Sequence, residues 1–215
     1  MEQVSKRKST PSLYQKIARK LNIVYDNFRG LDFLSVIQPR DLGLDEKDIF
    51  RGSPSGNIFL SNILLDLGIS ELDNILDIGC SKGDAIRCMT SFPFGKVDGL
   101  EISQKLAEIA QKNFLKLKKT NVEIFNIDAR QFKKFNEYNF FYLYNPFSEA
   151  VMIDVIYNLS KQLGNKEVII IYNNPTCHSL VEKAGFIKYK QYPDQWGNGI
   201  YIYSNKSEPS RFSNF

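Results

Sequence analysis

This 215-residue chain has a single histidine and three cysteines, at 80, 88 and 177. The lone His178 removes most histidine-based metal sites. An odd number of cysteines without C-x-x-C spacing argues against a disulfide framework or a thiolate zinc site. No metal is therefore expected. Long apolar runs are missing too. Val168–Tyr172 and Phe140–Tyr144 are far too short to span a bilayer, which needs about 20 residues. The first residues, MEQVSKRKSTPS, have no apolar centre and do not resemble a secretory signal. The expectation is a soluble, cytoplasmic protein with no membrane partner.

What is present is enough for a core. The chain is 43% hydrophobic and 24% charged, with sixteen Phe and eleven Tyr against one Trp. The net charge of +4 is unevenly placed. Residues 1–20 hold six Lys/Arg and one acid, so the remainder is near neutral. A nucleic-acid partner, if there is one, would meet that basic region rather than the main domain. Residues 1–12 read as a loose arm. Leu13, Ile17, Leu21, Val24 and Phe28 then recur in steps of three and four, the stripe of a helix. Lys16, Arg19 and Lys20 lie off it, as a solvated face or a docking surface for an acidic partner.

Arg51–Gly56 is turn-rich, and Ile58–Leu67 suggests a short buried helix ending at Gly68. From there strands and helices alternate. Asn74–Ile78, Lys96–Ile102, Val122–Ile127, Tyr138–Tyr144 and Glu167–Tyr172 read as strands. Helices are expected from about Asp84, over Gln104–Lys119 with Ser103 as N-cap, over Ser148–Leu163 and around Ser179–Ala184. Phe186–Tyr192 and Ile200–Ser204 form a closing hairpin. Fivefold strand–helix alternation with an antiparallel end defines an α/β fold: a mostly parallel sheet with helices on both faces.

Ligands of such sheets bind beyond the carboxyl ends of the strands. The first strand ends in Asp77-Ile-Gly79-Cys80-Ser81-Lys-Gly83, whose glycines permit a tight turn. It lacks both the P-loop ending and the G-x-G-x-x-G spacing. Glu101, eighteen positions past Gly83, is placed to accept from both hydroxyls of a ribose. Asp128 suits the exocyclic amine of a purine.

Together ILDIGCSKG (75–83), DGLEIS (98–103), NIDA (126–129) and YLYNPF (142–147) resemble the class I S-adenosylmethionine-dependent methyltransferases. That resemblance implies a Rossmann-like seven-stranded sheet with a C-terminal antiparallel hairpin over residues 56–204. Residues 1–55 would be a basic arm, helix and cofactor-covering loop, and 205–215 a tail. It implies S-adenosylmethionine as cofactor, with Asp77, Gly79, Cys80, Ser81 and Gly83 around its methionine end. Glu101 would bind the ribose and Asp128 the adenine amine, with Ile102 and Ala129 also at the cofactor. Ser81 departs from the family's usual glycine and fits if its φ is negative. The loop 51–56 resembles one that folds over the methionine end in one branch of the family.

Asn145-Pro146-Phe147 resembles a reduced form of the Asn/Asp-Pro-Pro-Tyr/Phe motif of amino-methyltransferases. Asn145 would face the acceptor or brace the cofactor amine, and Phe147 would stack on the acceptor. The alternative is that Asn145 caps the next helix and Pro146 starts it. His178, three residues past Pro175, is the natural general base for a hydroxyl acceptor. Trp196 would be a lid over the acceptor or a packing residue of the hairpin. The expected activity is methyl transfer to a hydroxyl of a small-molecule or sugar-type acceptor. The alternatives are N-methylation of an amine and a non-catalytic subunit that binds S-adenosylmethionine. No motif specifies an oligomeric state.

Overall fold

The computed structural model describes residues 12–35, 37 and 54–210. The basic arm before Ser12, residues 51–53 of the expected covering loop and the tail beyond residue 210 lie outside them.

The elements follow in the order α1 (Leu13–Phe28), α2 (Ile58–Asp66), β1 (Asn74–Ile78), α3 (Asp84–Met89), β2 (Lys96–Glu101), α4 (Gln104–Lys116), β3 (Ile124–Asn126), β4 (Phe140–Tyr144), α5 (Glu149–Leu163), β5 (Ile169–Asn173), α6 (His178–Lys183), β6 (Ile187–Tyr192) and β7 (Ile200–Ser204). The seven strands form one sheet in the order β3-β2-β1-β4-β5-β7-β6. β1 to β5 run parallel, and β7 pairs antiparallel with both β5 and β6. The chain steps outward from β1 to β3 and then returns to place β4 on β1's other side. The ends of β1 and β4 therefore flank a switch in strand order, where such sheets open a crevice.

β1, β2, β4, β5 and β7 are buried on both faces, and their two-residue period deals side chains alternately to two cores. Phe140, Tyr142, Ile169 and Ile171 join α2, α3 and α4 on one side. Phe141, Leu143, Ile170 and Tyr172 join α5 and α6 on the other. Local capping agrees with the composition. Asn57 Oδ1 accepts from the Phe59 and Leu60 amides at the start of α2, and Ser103 Oγ accepts from the Leu106 amide at the start of α4.

Two expectations change. No α-helix follows β3; two 3-10 turns, Ala129–Gln131 and Phe135–Glu137, lead into β4. The Leu13–Phe28 helix forms, yet its apolar stripe does not face the core. Ile23 alone of α1 packs against the described core, while Leu13, Ile17, Leu21, Val24 and Phe28 are exposed. α1 docks instead by polar contacts: Asp26 pairs with Arg87 of α3 at 3.0 Å, and Arg19 donates to the Leu34 carbonyl.

Candidate cofactor and acceptor site

The loop after β1 is built by backbone geometry. The Gly79 and Cys80 amides both donate to the Leu100 carbonyl of β2, at 3.0 and 2.9 Å, so the chain turns sharply over the neighbouring strand. Gly79 has φ 87 and Gly83 has φ 85. A Cβ on Gly79 would lie 2.7 Å from Pro146 Cβ, and one on Gly83 would lie 2.5 Å from the Phe114 ring. Glycine is therefore required at both by conformation and by space. The first contact shows that the loop after β4 lies directly against the loop after β1.

Ser81 adopts φ 51, a left-handed backbone rather than the negative φ expected. Its amide donates to Glu101 Oε2 at 2.9 Å, which pins the residue in that conformation. Glu101 Oε1 accepts from the Ser103 amide at 2.8 Å. A carboxylate offers about four acceptor sites, so Glu101 keeps capacity for a ligand's hydroxyls.

Asp77, Asp84 and Glu101 are buried carboxylates around this turn. Burial pushes the Asp77 carboxyl well above its ordinary value, and the charges of Glu101 and Asp84 push it further. Glu101 is raised mainly by burial, partly offset by its backbone donors. Asp84 is raised by burial against the pull of Arg87. A buried group of like charges lowers its energy by taking up a cation.

The covering segments are tied to the same turn. The Gly56 amide donates to Asp84 Oδ2 at 2.8 Å, and Asp84 Oδ1 pairs with Arg87 at 2.7 Å. Lys82, 3% exposed, pairs through Nζ with Asp32 and donates to Ser35 Oγ. Asn113 of α4 closes the clamp, accepting from the Asp32 amide and donating to the Asp32 and Lys82 carbonyls. Ser55 is hydrogen-bonded to the buried Tyr142 hydroxyl, which also accepts from Asn173 Nδ2 at 3.2 Å. Sequence reasoning missed Asp32, Ser55, Tyr142, Asn173 and this use of Lys82. Their partners lie far along the chain, and no local pattern marks them.

The remaining expected residues divide between the two sides. Cys80 is buried and packs under β2, its Sγ in the space a Gly99 Cβ would need. Ile102 is 38% exposed, an apolar surface beside Glu101. Ala129 is buried after Asp128. Asp128 is gripped by Arg130, whose Nη2 lies 2.6 Å from Oδ2 and whose Nε reaches both oxygens. That pairing holds its carboxyl below the ordinary value. Arg130 was not singled out from sequence, although it stands two residues from the acid.

Asn145 has φ 41, and its Oδ1 accepts a short hydrogen bond from Thr176. It does not cap α5, and Pro146 does not begin it: Ser148 is the N-cap and Glu149 the first helical residue. Phe147, expected to stack on an acceptor, is 9% exposed and packed in the α5-side core.

His178 also departs from expectation. Nδ1 lies 3.0 Å from the Tyr203 hydroxyl and Nε2 lies 3.2 Å from Glu182 Oε2. The ring packs edge-on against Tyr201 at 5.4 Å. Both ring nitrogens thus have protein partners, on a side chain that is 36% exposed. Trp196 is half-buried in the turn between β6 and β7. That turn is joined to the loop after β5 by the Asn174 amide, which donates to the Gly199 carbonyl at 3.0 Å.

Residues 75–171 match the family model of a methyltransferase domain. No curated protein matches the chain. Among solved structures it is similar to a SAM dependent methyltransferase from Aquifex aeolicus, with 14% identity and a TM-score of 0.59 over 78% of this chain and 97% of that one. It is also similar to an RNA methyltransferase from Salinibacter ruber in complex with S-adenosyl-L-homocysteine. There the identity is 20% and the TM-score 0.55, over 73% of this chain and 97% of that one. At such identities the likeness is one of fold.

Residues 75–171 thus form a methyltransferase domain, on a sheet with the Rossmann-like topology of the class I methyltransferases. Among the described residues, no helix is long and apolar enough to cross a membrane.

Proposed function

We propose that this enzyme transfers the methyl group to a hydroxyl of a small-molecule or sugar-type acceptor. Bound S-adenosylmethionine supplies an activated methyl on a positively charged sulfonium. The residues present fit that group. The buried carboxylates Asp77, Glu101 and Asp84 complement a cation. Asp77 and the turn through Gly79, Cys80, Ser81 and Gly83 would hold the methionine end. Glu101 would accept from the ribose hydroxyls, while Ile102 and Ala129 would bound the adenine and Asp128 would accept from its amine. Arg130 would fix the Asp128 carboxylate in place for that bond.

The observation that carries the hydroxyl reading is the state of the loop after β4. An amine-binding version needs a carboxamide oxygen to accept from the amine and an aromatic face to stack on it. Here Asn145 Oδ1 already accepts from Thr176, and Phe147 is in the core. What the side chain still offers an acceptor is the Nδ2 donor and one remaining lone pair on Oδ1. The donor suits a hydroxyl oxygen, and the aromatic face that an amine-binding version would stack on its substrate lies in the core. In the transfer the oxygen–methyl bond would form as the sulfur–methyl bond breaks, the hydroxyl proton would leave to water, and much of the acceleration would come from holding that oxygen in line with the methyl group.

The test is a methyl-transfer assay on paired acceptors that differ only in bearing a hydroxyl or an amine, with the methylated atom located by NMR. Methyl on oxygen supports the proposal, and methyl on nitrogen overturns it. Binding of S-adenosylmethionine by calorimetry without transfer to any acceptor would instead mark a non-catalytic subunit.

A further inference from the structure

α1 carries its amphipathicity the wrong way round for a packed helix. Leu13, Ile17, Leu21, Val24, Tyr25 and Phe28 share one face, and each is between 50% and 90% exposed. A contiguous apolar face of that size on a surface helix marks an interaction site. The opposite side of the helix supplies the contacts to the body, through Asp26, Arg19 and Ile23. Among the described residues the stripe is thus a ridge on the side of α1 away from the core.

Charge narrows the choice of occupant. Asp26 is the sole acid of α1, and it is buried against Arg87. The exposed charges are Lys16, Arg19 and Lys20, with Arg29 one residue past the end, its guanidinium 5.6 Å from the Tyr25 ring. Lys16 and Lys20 border the stripe on one flank. Lys6, Arg7 and Lys8 precede the helix in the sequence. An antiparallel pair of such helices would set the lysine flanks of two copies side by side with no acid between them. A second copy is therefore disfavoured.

We propose that α1 is a docking element for an anionic lipid surface. The helix would lie in the plane of the interface, its leucine, isoleucine, valine and aromatic ridge in the acyl boundary and its cations at the headgroups. A flat lipid surface accepts a convex ridge without a complementary groove. The expectation of no membrane partner rested on the shortness of the apolar runs, which bears on spanning and not on lying at the surface. The proposal is independent of the identity of the methyl acceptor.

Sedimentation of the full-length chain with vesicles tests it. Vesicles of phosphatidylcholine with about one-third phosphatidylglycerol should retain the protein, with weaker retention at high salt as charge is screened. Pure phosphatidylcholine vesicles should retain much less. The double variant Leu21→Asp/Phe28→Asp should lower retention by roughly tenfold or more. Lys16→Glu/Lys20→Glu should abolish the preference for anionic vesicles. Both variants change exposed side chains, and unchanged binding of S-adenosylhomocysteine certifies their fold. Should Leu21→Asp/Phe28→Asp lose that binding, Val24→Asn takes its place with the same expectation of lowered retention. The proposal is overturned by absence of retention on anionic vesicles, by equal retention on neutral ones, or by retention unaffected by the stripe variants. Self-association through the stripe in the absence of lipid, seen by light scattering and lost in Leu21→Asp/Phe28→Asp, would equally overturn it.

Discussion

The turn after β1 and the loops after β4 and β5 meet at the same crevice but are built differently. The first is written in backbone conformation. Gly79 and Gly83 are left-handed, their Cβ positions are filled by neighbours, and the amides are bound to Leu100 and Glu101. The second is written in side chains. Asn145 and Asn174 hold left-handed conformations of their own, and the Thr176 hydroxyl reaches back to Asn145. A backbone cradle holds whatever side chains decorate it, which suits a constant ligand such as the methyl donor. A loop held by interchangeable polar side chains is easily altered, which suits an acceptor that differs from enzyme to enzyme. The left-handed asparagines are a common residue choice for such turns.

The largest effect should come from the charge at the cofactor side. Asp77→Asn should weaken binding of S-adenosylmethionine by roughly 100-fold, about 2–3 kcal/mol, as a charged buried partner is lost. Calorimetry reads this. The same variant should raise the melting midpoint of the ligand-free protein. Burial and two neighbouring carboxylates hold the Asp77 carboxyl well above its unfolded value. The folded state therefore binds the proton more tightly than the unfolded one. Stability from this group is fully present below the ordinary carboxylate value and is lost as pH rises through the raised one. Cofactor affinity should run the other way, falling as the carboxylates take up protons. A ligand-free midpoint that rose with pH over this range, and no gain from Asp77→Asn, would break the view of the turn as a cation site.

A change on the other side should separate the two regions. Asn145→Ala should lower kcat/KM for the acceptor by roughly tenfold, about 1.4 kcal/mol, while the cofactor Kd stays within about threefold. An equal loss in both would mean that Asn145 braces the cofactor rather than the acceptor, and the division proposed here would fail.

Much of this division was legible in the sequence. Gly79, Gly83, Glu101 and Asp128 stand out because turn geometry and ligand chemistry limit those positions to few residue types. The seven strands and the closing hairpin followed from short apolar runs between turn residues. The helix expected around Ser179 starts one residue earlier, at His178, and the strand expected at Val122 starts at Ile124; these are frayed ends. The errors share a cause. Leu13–Phe28 has an unmistakable helical stripe, but periodicity says that a face is apolar and not that anything covers it. Phe147 and His178 were assigned by neighbourhood in the chain, while their surroundings are set by α5 and β7, distant in sequence. Lys82 has no mark in the local pattern of the glycine turn, and it is a buried ion-pair partner of Asp32, fifty positions away.

Ser81 tests how far the backbone of the first region can be relaxed. It pays a left-handed conformation that glycine adopts freely. Ser81→Gly should therefore stabilise the folded protein by about 0.5–1 kcal/mol, since the strain removed of about 1–2 kcal/mol exceeds the added freedom of the unfolded chain. Chemical denaturation measures this, and cofactor affinity should stay within about threefold because the amide that donates to Glu101 is retained. A clear loss of stability would mean that the Ser81 side chain, and not its backbone, is what the turn requires.

The smallest catalytic effect is expected at the residue that looks most chemical in the sequence. His178 is held by Tyr203 on one ring nitrogen and Glu182 on the other, against the Tyr201 ring. Its removal should leave kcat within about twofold, since both nitrogens are engaged by protein partners. The cost should appear in stability instead. His178→Ala leaves the Tyr203 hydroxyl without this partner on the α6 side of the sheet, a loss of about 1 kcal/mol. A pH–rate profile that keeps its shape in His178→Ala, alongside a lowered denaturation midpoint, would place the residue with the packing of α6 on β7. Loss of activity with an unchanged fold would return it to the acceptor side, and the contrast between a constant cofactor turn and a variable acceptor loop would then need a titrating group in the second region.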